Sequence, residues 1–338
     1  MPLPTPDGSG ASDVLTSSNK SNKSSASVHD TDYRKSLGYR NIYINRKDPP
    51  IELMRKAKEI ITGLRSSPEA DEAAAKEVKK TSRELETKNE EDIIQQLAPS
   101  VIPGMDGVLD PRLASSANQQ WTDFVPVPLD PSVITSPLPL PKPKPDKTFG
   151  YAEKAFSRNQ LATIDLLTDQ LGRNYAIPDK GLLFPFLDDE FKSQGKGGSH
   201  VIATNQAAGA GAVAMHGFVE LARHGSGLDT LDYDEPQFFS LSMDHSIVQV
   251  YVHWLSVDAE DGQFNFHMEW LSLHSLRDLD GLRAVHRTMK NILDWALRER
   301  LPAICKLLDT YRARLRKEKA EAEAKKGSRK SGEAGTGI

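Results

Sequence analysis

Residues 186–193, FLDDEFKS, put three consecutive acids inside an apolar run. Phe184, Phe186 and Leu187 lead into Asp188, Asp189 and Glu190, and Lys192 follows two places later. In a strand, side chains i and i+2 share a face. Asp188, Glu190 and Lys192 therefore point one way, and Leu187, Asp189 and Phe191 the other. Two ionised carboxylates on one face of a core strand repel each other and are costly to desolvate. A divalent cation removes that penalty, and a lysine beside it can hold or polarise a water. Acid, spacer, lysine on one strand thus suits metal-assisted hydrolysis of a phosphodiester.

Such a site needs a further carboxylate, and two Pro-Asp pairs offer one. Pro145–Asp146 opens a strand candidate, DKTFGY, after a proline-rich stretch. Pro178–Asp179 lies nearer to Glu190 but sits in IPDKG, which reads as a turn. Pro-Asp followed by Glu-x-Lys resembles the PD-(D/E)XK motif of restriction-endonuclease-like nucleases. The phrases PLPKPKPDKTFGY, FPFLDDEFKS and TNQAAGAGAVA resemble a domain of unknown function in filamentous fungal proteins that carries this core, over roughly residues 120–312.

The resemblance implies that Asp146 and Glu190 are ligands of Mg²⁺ or Mn²⁺, with the backbone carbonyl of Phe191 as a third. It implies that Lys192 faces the attacking water and the scissile phosphate, and that Gln206 orients the lysine or the water. An acid on an early helix often joins such sites; Glu90 or Glu91 in NEEDIIQQL is the candidate here. Asp179 and Asp188 stand as alternative ligands. The separation of 44 positions between Asp146 and Glu190 exceeds the usual gap because a helix is inserted. Lys144, Lys147 and Arg158 are candidate phosphate contacts.

Several elements must position these groups. Residues 51–65 repeat apolar side chains at helical spacing, and 69–98 read as a charged helix that turns apolar at Ile93, Ile94 and Leu97. Residues 99–145 read as an extended proline-rich strap pinned by Trp121 and Phe124. SRNQLATIDLLTDQLG reads as a helix from a Ser157 cap to Gly172. QGKGGSH reads as a hairpin turn that can also cradle phosphate, and a small-residue helix at about 203–222 follows. PQFFSLSMD and SIVQVYVHWLSV form a hairpin, GQFNFHMEWLSL alternates as another strand, and a helical stretch over about 279–319 closes the chain. The expected fold is α/β of the α+β kind: a restriction-endonuclease-like core, with a mixed sheet of about four or five strands flanked by helices and an N-terminal helical extension.

The 338 residues leave room for about two domains. The expected division is a disordered tail (1–30), a helical region (31–98), the strap (99–145), the core (146–312) and a charged, largely disordered tail (313–338). From Arg312 to Lys330 there are nine basic residues against three acids, a pattern that suits nucleic acid or a nuclear address. The overall charge of −4 requires any contact with DNA to go through a local patch. One cysteine, Cys305, excludes an intramolecular disulfide and a cysteine-rich zinc site. His216, His224, His245, His253, His267, His274 and His286 show no metal-ligand spacing.

No apolar run approaches the ~20 residues of a membrane span, and MPLPTPDGSG has no signal pattern. A nuclear or cytoplasmic, non-secreted protein is expected, so the sequons at Asn19 and Asn22 carry no weight. The leading functional expectation is a metal-dependent nuclease acting on nucleic acid, DNA before RNA. The alternative is an inactive nuclease-like fold that binds nucleic acid or protein; a non-nucleolytic hydrolase is a third reading.

Overall fold

The computed structural model describes residues 25–66, 70–105, 109–179, 181–260 and 262–333. Helix α1 (Tyr33–Gly38) leads to a short strand, β1 (Ile42–Ile44). Helices α2 (Ile51–Thr62), α3 (Glu72–Glu84), α4 (Glu90–Gln96) and α5 (Ala98–Val101) follow. Strands β2 (Leu113–Ala117) and β3 (Lys147–Tyr151) flank the strap, and α6 (Arg158–Ile164) precedes β4 (Leu183–Phe191). Helix α7 (His200–His224) crosses to β5 (Phe238–Met243), β6 (Ile247–Val257) and β7 (Phe264–Ser275). Helix α8 (Leu279–Trp295), a π-helical turn (Ala296–Arg300) and α9 (Leu301–Glu333) end the described chain.

The strands form one mixed sheet in the order β1-β7-β6-β5-β4-β3-β2. β1 runs parallel to β7 and β4 parallel to β5; the other neighbours are antiparallel. The four or five expected strands become seven because each edge gains a short strand. β1 lies in the region read as wholly helical, and β2 lies in the stretch read as strap. Neither carries a long β-branched run, and both owe their conformation to the neighbour that supplies their hydrogen bonds.

The sheet separates two apolar layers. On one side Phe191, Phe239, Leu241, Val250 and Val252 pack with Val285, Met289, Ile304 and Leu308 of α8 and α9. On the other side lies α7, buried along most of its length. The small residues of NQAAGAGAVA permit the helix to approach its neighbours closely. A Cβ at Gly211 would strike the His253 ring, and one at Gly217 would strike the Tyr175 carbonyl oxygen. Gly209 has no such need, since a Cβ there would meet only the Tyr33 hydroxyl in ordinary contact.

Other boundaries differ from the sequence reading. The helix read over 157–172 stops at Ile164, although its Ser157–Gln160 capping box forms as expected. Residues 25–30, read as tail, are placed by hydrogen bonds and by burial of Ala26. α9 extends to Glu333, beyond the expected end near 319 and through most of the tail read as disordered. Residues 1–24, with both sequons, and 334–338 lie outside the described residues.

The strap is a closed excursion between paired strands β2 and β3. At its base the Asn118 N–H donates to the Asp146 carbonyl, and the Trp121 N–H donates to Pro143, both at 2.9 Å. Trp121 is fully buried with Val125 and Val127, while Phe124 is partly buried. Trp121→Ala is therefore expected to cost about 3–5 kcal/mol in urea denaturation. A change within error would mean that the strap is a free linker.

Candidate active site

β4 is buried at all nine positions, and the register across the sheet decides where its acids point. β3 pairs antiparallel with β4, matching Lys147 with Asp189 and Thr148 with Asp188. One step further, Asp146 faces Glu190 at the head of β3. Pro145 helps to set this place: it donates no hydrogen bond and restricts the residue before it, so the strap ends and the strand begins there.

The side chains meet at the Lys192 ammonium. Its Nζ lies 3.4 Å from Asp146 Oδ2, 3.4 Å from Glu190 Oε2 and 2.5 Å from the Phe191 carbonyl oxygen. Glu90 Oε2 is the fourth oxygen, at 3.6 Å. Asp146 Oδ2 also accepts the Phe191 N–H at 2.8 Å, which fixes the carboxylate against the end of β4. The side chains of Glu190, Lys192 and Asp146 are 1, 5 and 13 % exposed. Three oxygens expected as metal ligands thus converge on one point held by a cation of the protein itself.

The charges are strongly perturbed. Burial, reinforced by the Asp146 charge and tempered by Lys192, pushes Glu190 well above the usual carboxylate range. Burial, with Glu190 and Asp189 beside it, does the same to Asp188. Burial works against the Lys192 ammonium, but Glu190, Asp146 and Glu90 outweigh it and raise its pKa. Burial also raises Glu90, against the pull of Lys192. Lys192 therefore offsets the carboxylates while burial raises the proton affinity of Glu190, and a divalent cation would compete with both the ammonium and the proton.

The donor set suits such a cation. Two carboxylate oxygens and a main-chain carbonyl are hard ligands, and Mg²⁺ is commonly held by one or two carboxylates while it keeps several waters. Among the described residues no group of three or more His, Cys, Asp or Glu side chains forms a metal site. Gln206, on the face of α7 turned to the cluster, borders the cavities on both sides of it, and its buried Oε1 has no hydrogen-bond partner.

Other sequence candidates stand elsewhere. Asp179 forms a bridge with Leu182 in the turn before β4, and the length of that strand, at roughly 3.3 Å per residue, separates it from Glu190. Glu91 is exposed and accepts a bond from Gln95, so Glu90 is the early-helix acid that reaches the site. The reason is the capping box of Asn89 and Asp92, which fixes the start of α4 and leaves Glu90 facing Lys192. Asp188 shares the face of Glu190 but does not contact Lys192; neither of its buried oxygens has a hydrogen-bond partner. Lys147 lies buried on the opposite face beside Asp189 and offers no phosphate contact. Arg158 begins α6, which packs on α9 away from the cluster. The amides of Lys196, Gly197 and Gly198 donate to Ser193 and Gln194 carbonyls, so QGKGGSH is a plain turn and no phosphate cradle.

A family model described as "Domain of unknown function (DUF7924)" matches residues 77–308. The chain belongs to this family. The match covers α4, β3, β4 and α7, and so spans every residue of the cluster. It speaks to membership alone; neither a nuclease core nor a fungal source follows from it. Among curated proteins none matches the chain.

One network beside the site has no counterpart in the sequence reading. His200, first residue of α7, meets Ser242 Oγ through Nδ1 at 2.5 Å and Asp244 Oδ2 through Nε2 at 3.1 Å. Burial opposes ionisation of Asp244, but hydrogen bonds from His200, Ser246 and Ile247 hold its carboxyl well below the usual range. Gln194 donates to the same carboxylate. This network ties the segment after Lys192 and the start of α7 to the β5–β6 turn. No short-range spacing announces it, because His200 and Asp244 meet only through the tertiary fold.

Proposed function

We propose that this protein is a divalent-metal-dependent nuclease with a PD-(D/E)XK-type site on a restriction-endonuclease-like core. The observation that carries the reading is the convergence of Asp146 Oδ2, Glu190 Oε2 and the Phe191 carbonyl on the Lys192 ammonium. These three oxygens would hold Mg²⁺ or Mn²⁺, which supplies charge neutralisation at the phosphate and lowers the pKa of a water. Lys192, released from the oxygens, would hold the attacking water and the developing phosphate charge. Gln206 has a free acceptor to orient that water. The water oxygen forms the new bond to phosphorus and gives up a proton, the P–O ester bond breaks, and the leaving oxygen takes up a proton, so that the step is balanced.

A second reading has one observation in its favour. Lys192 already neutralises the cluster, so the same fold is stable as an inactive module that binds nucleic acid or protein. A cleavage assay separates the two. With Mg²⁺ or Mn²⁺ the protein is expected to cut plasmid or single-stranded substrate, EDTA to stop it, and Lys192→Ala to slow it on the order of a hundredfold. Absence of metal-dependent cutting, or equal cutting by the variant, would favour the inactive module.

A further inference from the structure

The cluster lies between two cavities. One, of 220 Å³, is walled by Lys192, Glu90, Lys196 and His29; the other, of 380 Å³, by Glu190, Lys142 and Lys144. Gln206 borders both, and the cluster lies between them. The mouths are cationic: Lys196 is exposed on one side, and Lys142 and Lys144 of the strap are exposed on the other. None of these three pairs with an acid among the described residues. Free cations beside both cavities suit an extended polyanion laid across the cluster, each flanking phosphate finding a lysine.

A segment of the chain also covers both cavities. Residues 25–29 cross between the strap and α7, where the Ala26 N–H donates to the Pro139 carbonyl at 3.0 Å. On the other side Asn205 Nδ2 donates to the Val28 carbonyl at 3.0 Å. Arg34 ties the next turn to the same helix, bonding Asn205 at 3.0 Å and Thr204 at 3.2 Å. Residues 25–28 line the larger cavity and His29 the smaller, so this one segment runs along both cavities. The smaller cavity falls below the roughly 300 Å³ at which small-molecule pockets begin. It has no room for a base pair.

Resting on the nuclease reading of the same site, we propose that the substrate is a single-stranded polynucleotide that enters by a free end. One flank of the strand would lie along Lys142 and Lys144 and the other along Lys196, with the scissile phosphate at Lys192. Blunt duplex has no unpaired end to insert, and a closed single-stranded circle has no end at all.

The test is competition binding to the full chain, followed by anisotropy of a fluorescent single-stranded 20-mer, as DNA and as RNA, in Ca²⁺. Competitors are the unlabelled linear strand, the same strand closed into a circle, and a blunt duplex. The linear strand is expected to compete at least tenfold better than the circle and the duplex, and the labelled series that binds identifies the sugar. Lys144→Ala and Lys196→Ala should each reduce the slope of log affinity against log salt by roughly 0.7. A circle or duplex within threefold of the linear strand would overturn the proposal, as would a linear strand that fails to bind. Cleavage is scored separately. Binding of linear ends without metal-dependent cutting leaves this inference standing and removes the nuclease; cutting of circles does the reverse.

Discussion

Glu190→Gln is expected to lower metal-dependent cleavage by about a thousandfold or more while the protein stays folded. Glu190 supplies one of the three oxygens at the Lys192 ammonium, and a neutral amide is a poor ligand for a hard cation. Loss of one electrostatic contact at a reacting centre typically costs 10²–10³ in rate, and loss of the metal costs more, as an order-of-magnitude guide. The fold is expected to survive because burial favours the neutral form of Glu190, and glutamine is neutral and of the same shape. Melting in EDTA should therefore be little changed, while the rise in melting temperature that Mg²⁺ gives the wild type should vanish. Full activity in the variant, or a variant that fails to fold, would contradict this.

Asp189→Asn is expected to stabilise the protein by an amount that grows with pH. Burial, opposed by Lys147 and reinforced by Asp146, pushes the Asp189 carboxyl up to about 8. In the unfolded chain it titrates at about 3.9. Between these values the folded state keeps a proton that the unfolded state has lost, so stability falls as pH rises. The slope is at most about 1.4 kcal/mol per pH unit, and it flattens once the folded carboxyl itself ionises. Asparagine cannot ionise, and it forfeits no hydrogen bond because neither Asp189 oxygen has a partner. Asp188 and Glu190 contribute equally to both proteins and cancel. Urea midpoints should coincide at about pH 4 and separate by several kcal/mol by about pH 8. A constant difference, or one that shrinks with pH, would show Asp189 ionised and paired with Lys147.

The cluster was largely legible because its logic is local. Acids and a lysine at i and i+2 on a strand must share a face, and a Pro-Asp that opens a strand puts its carboxylate at the strand's end. The sequence favours Asp146 over Asp179 because it opens a strand while Asp179 reads as a turn; the register of β3 on β4 sets Asp146 opposite Glu190. Glu90 over Glu91 turned on which face of α4 its capping box presents. The edge strands were not legible: LASSA in β2 carries no apolar alternation, and β1 has only three residues. Residues 25–30 read as tail because they are polar, yet backbone hydrogen bonds to the strap and α7 place them. The His200–Asp244 pair joins positions that only the packing of α7 against β5 brings together.

Mn²⁺ binding followed by electron paramagnetic resonance tests the central claim most directly. The wild type should bind one ion per chain at the cluster. Asp146→Asn and Glu190→Gln should each abolish that binding, and Asp179→Asn should leave it intact. Failure of the wild type to bind Mn²⁺, or loss of binding in Asp179→Asn with retention in Asp146→Asn, would contradict the account.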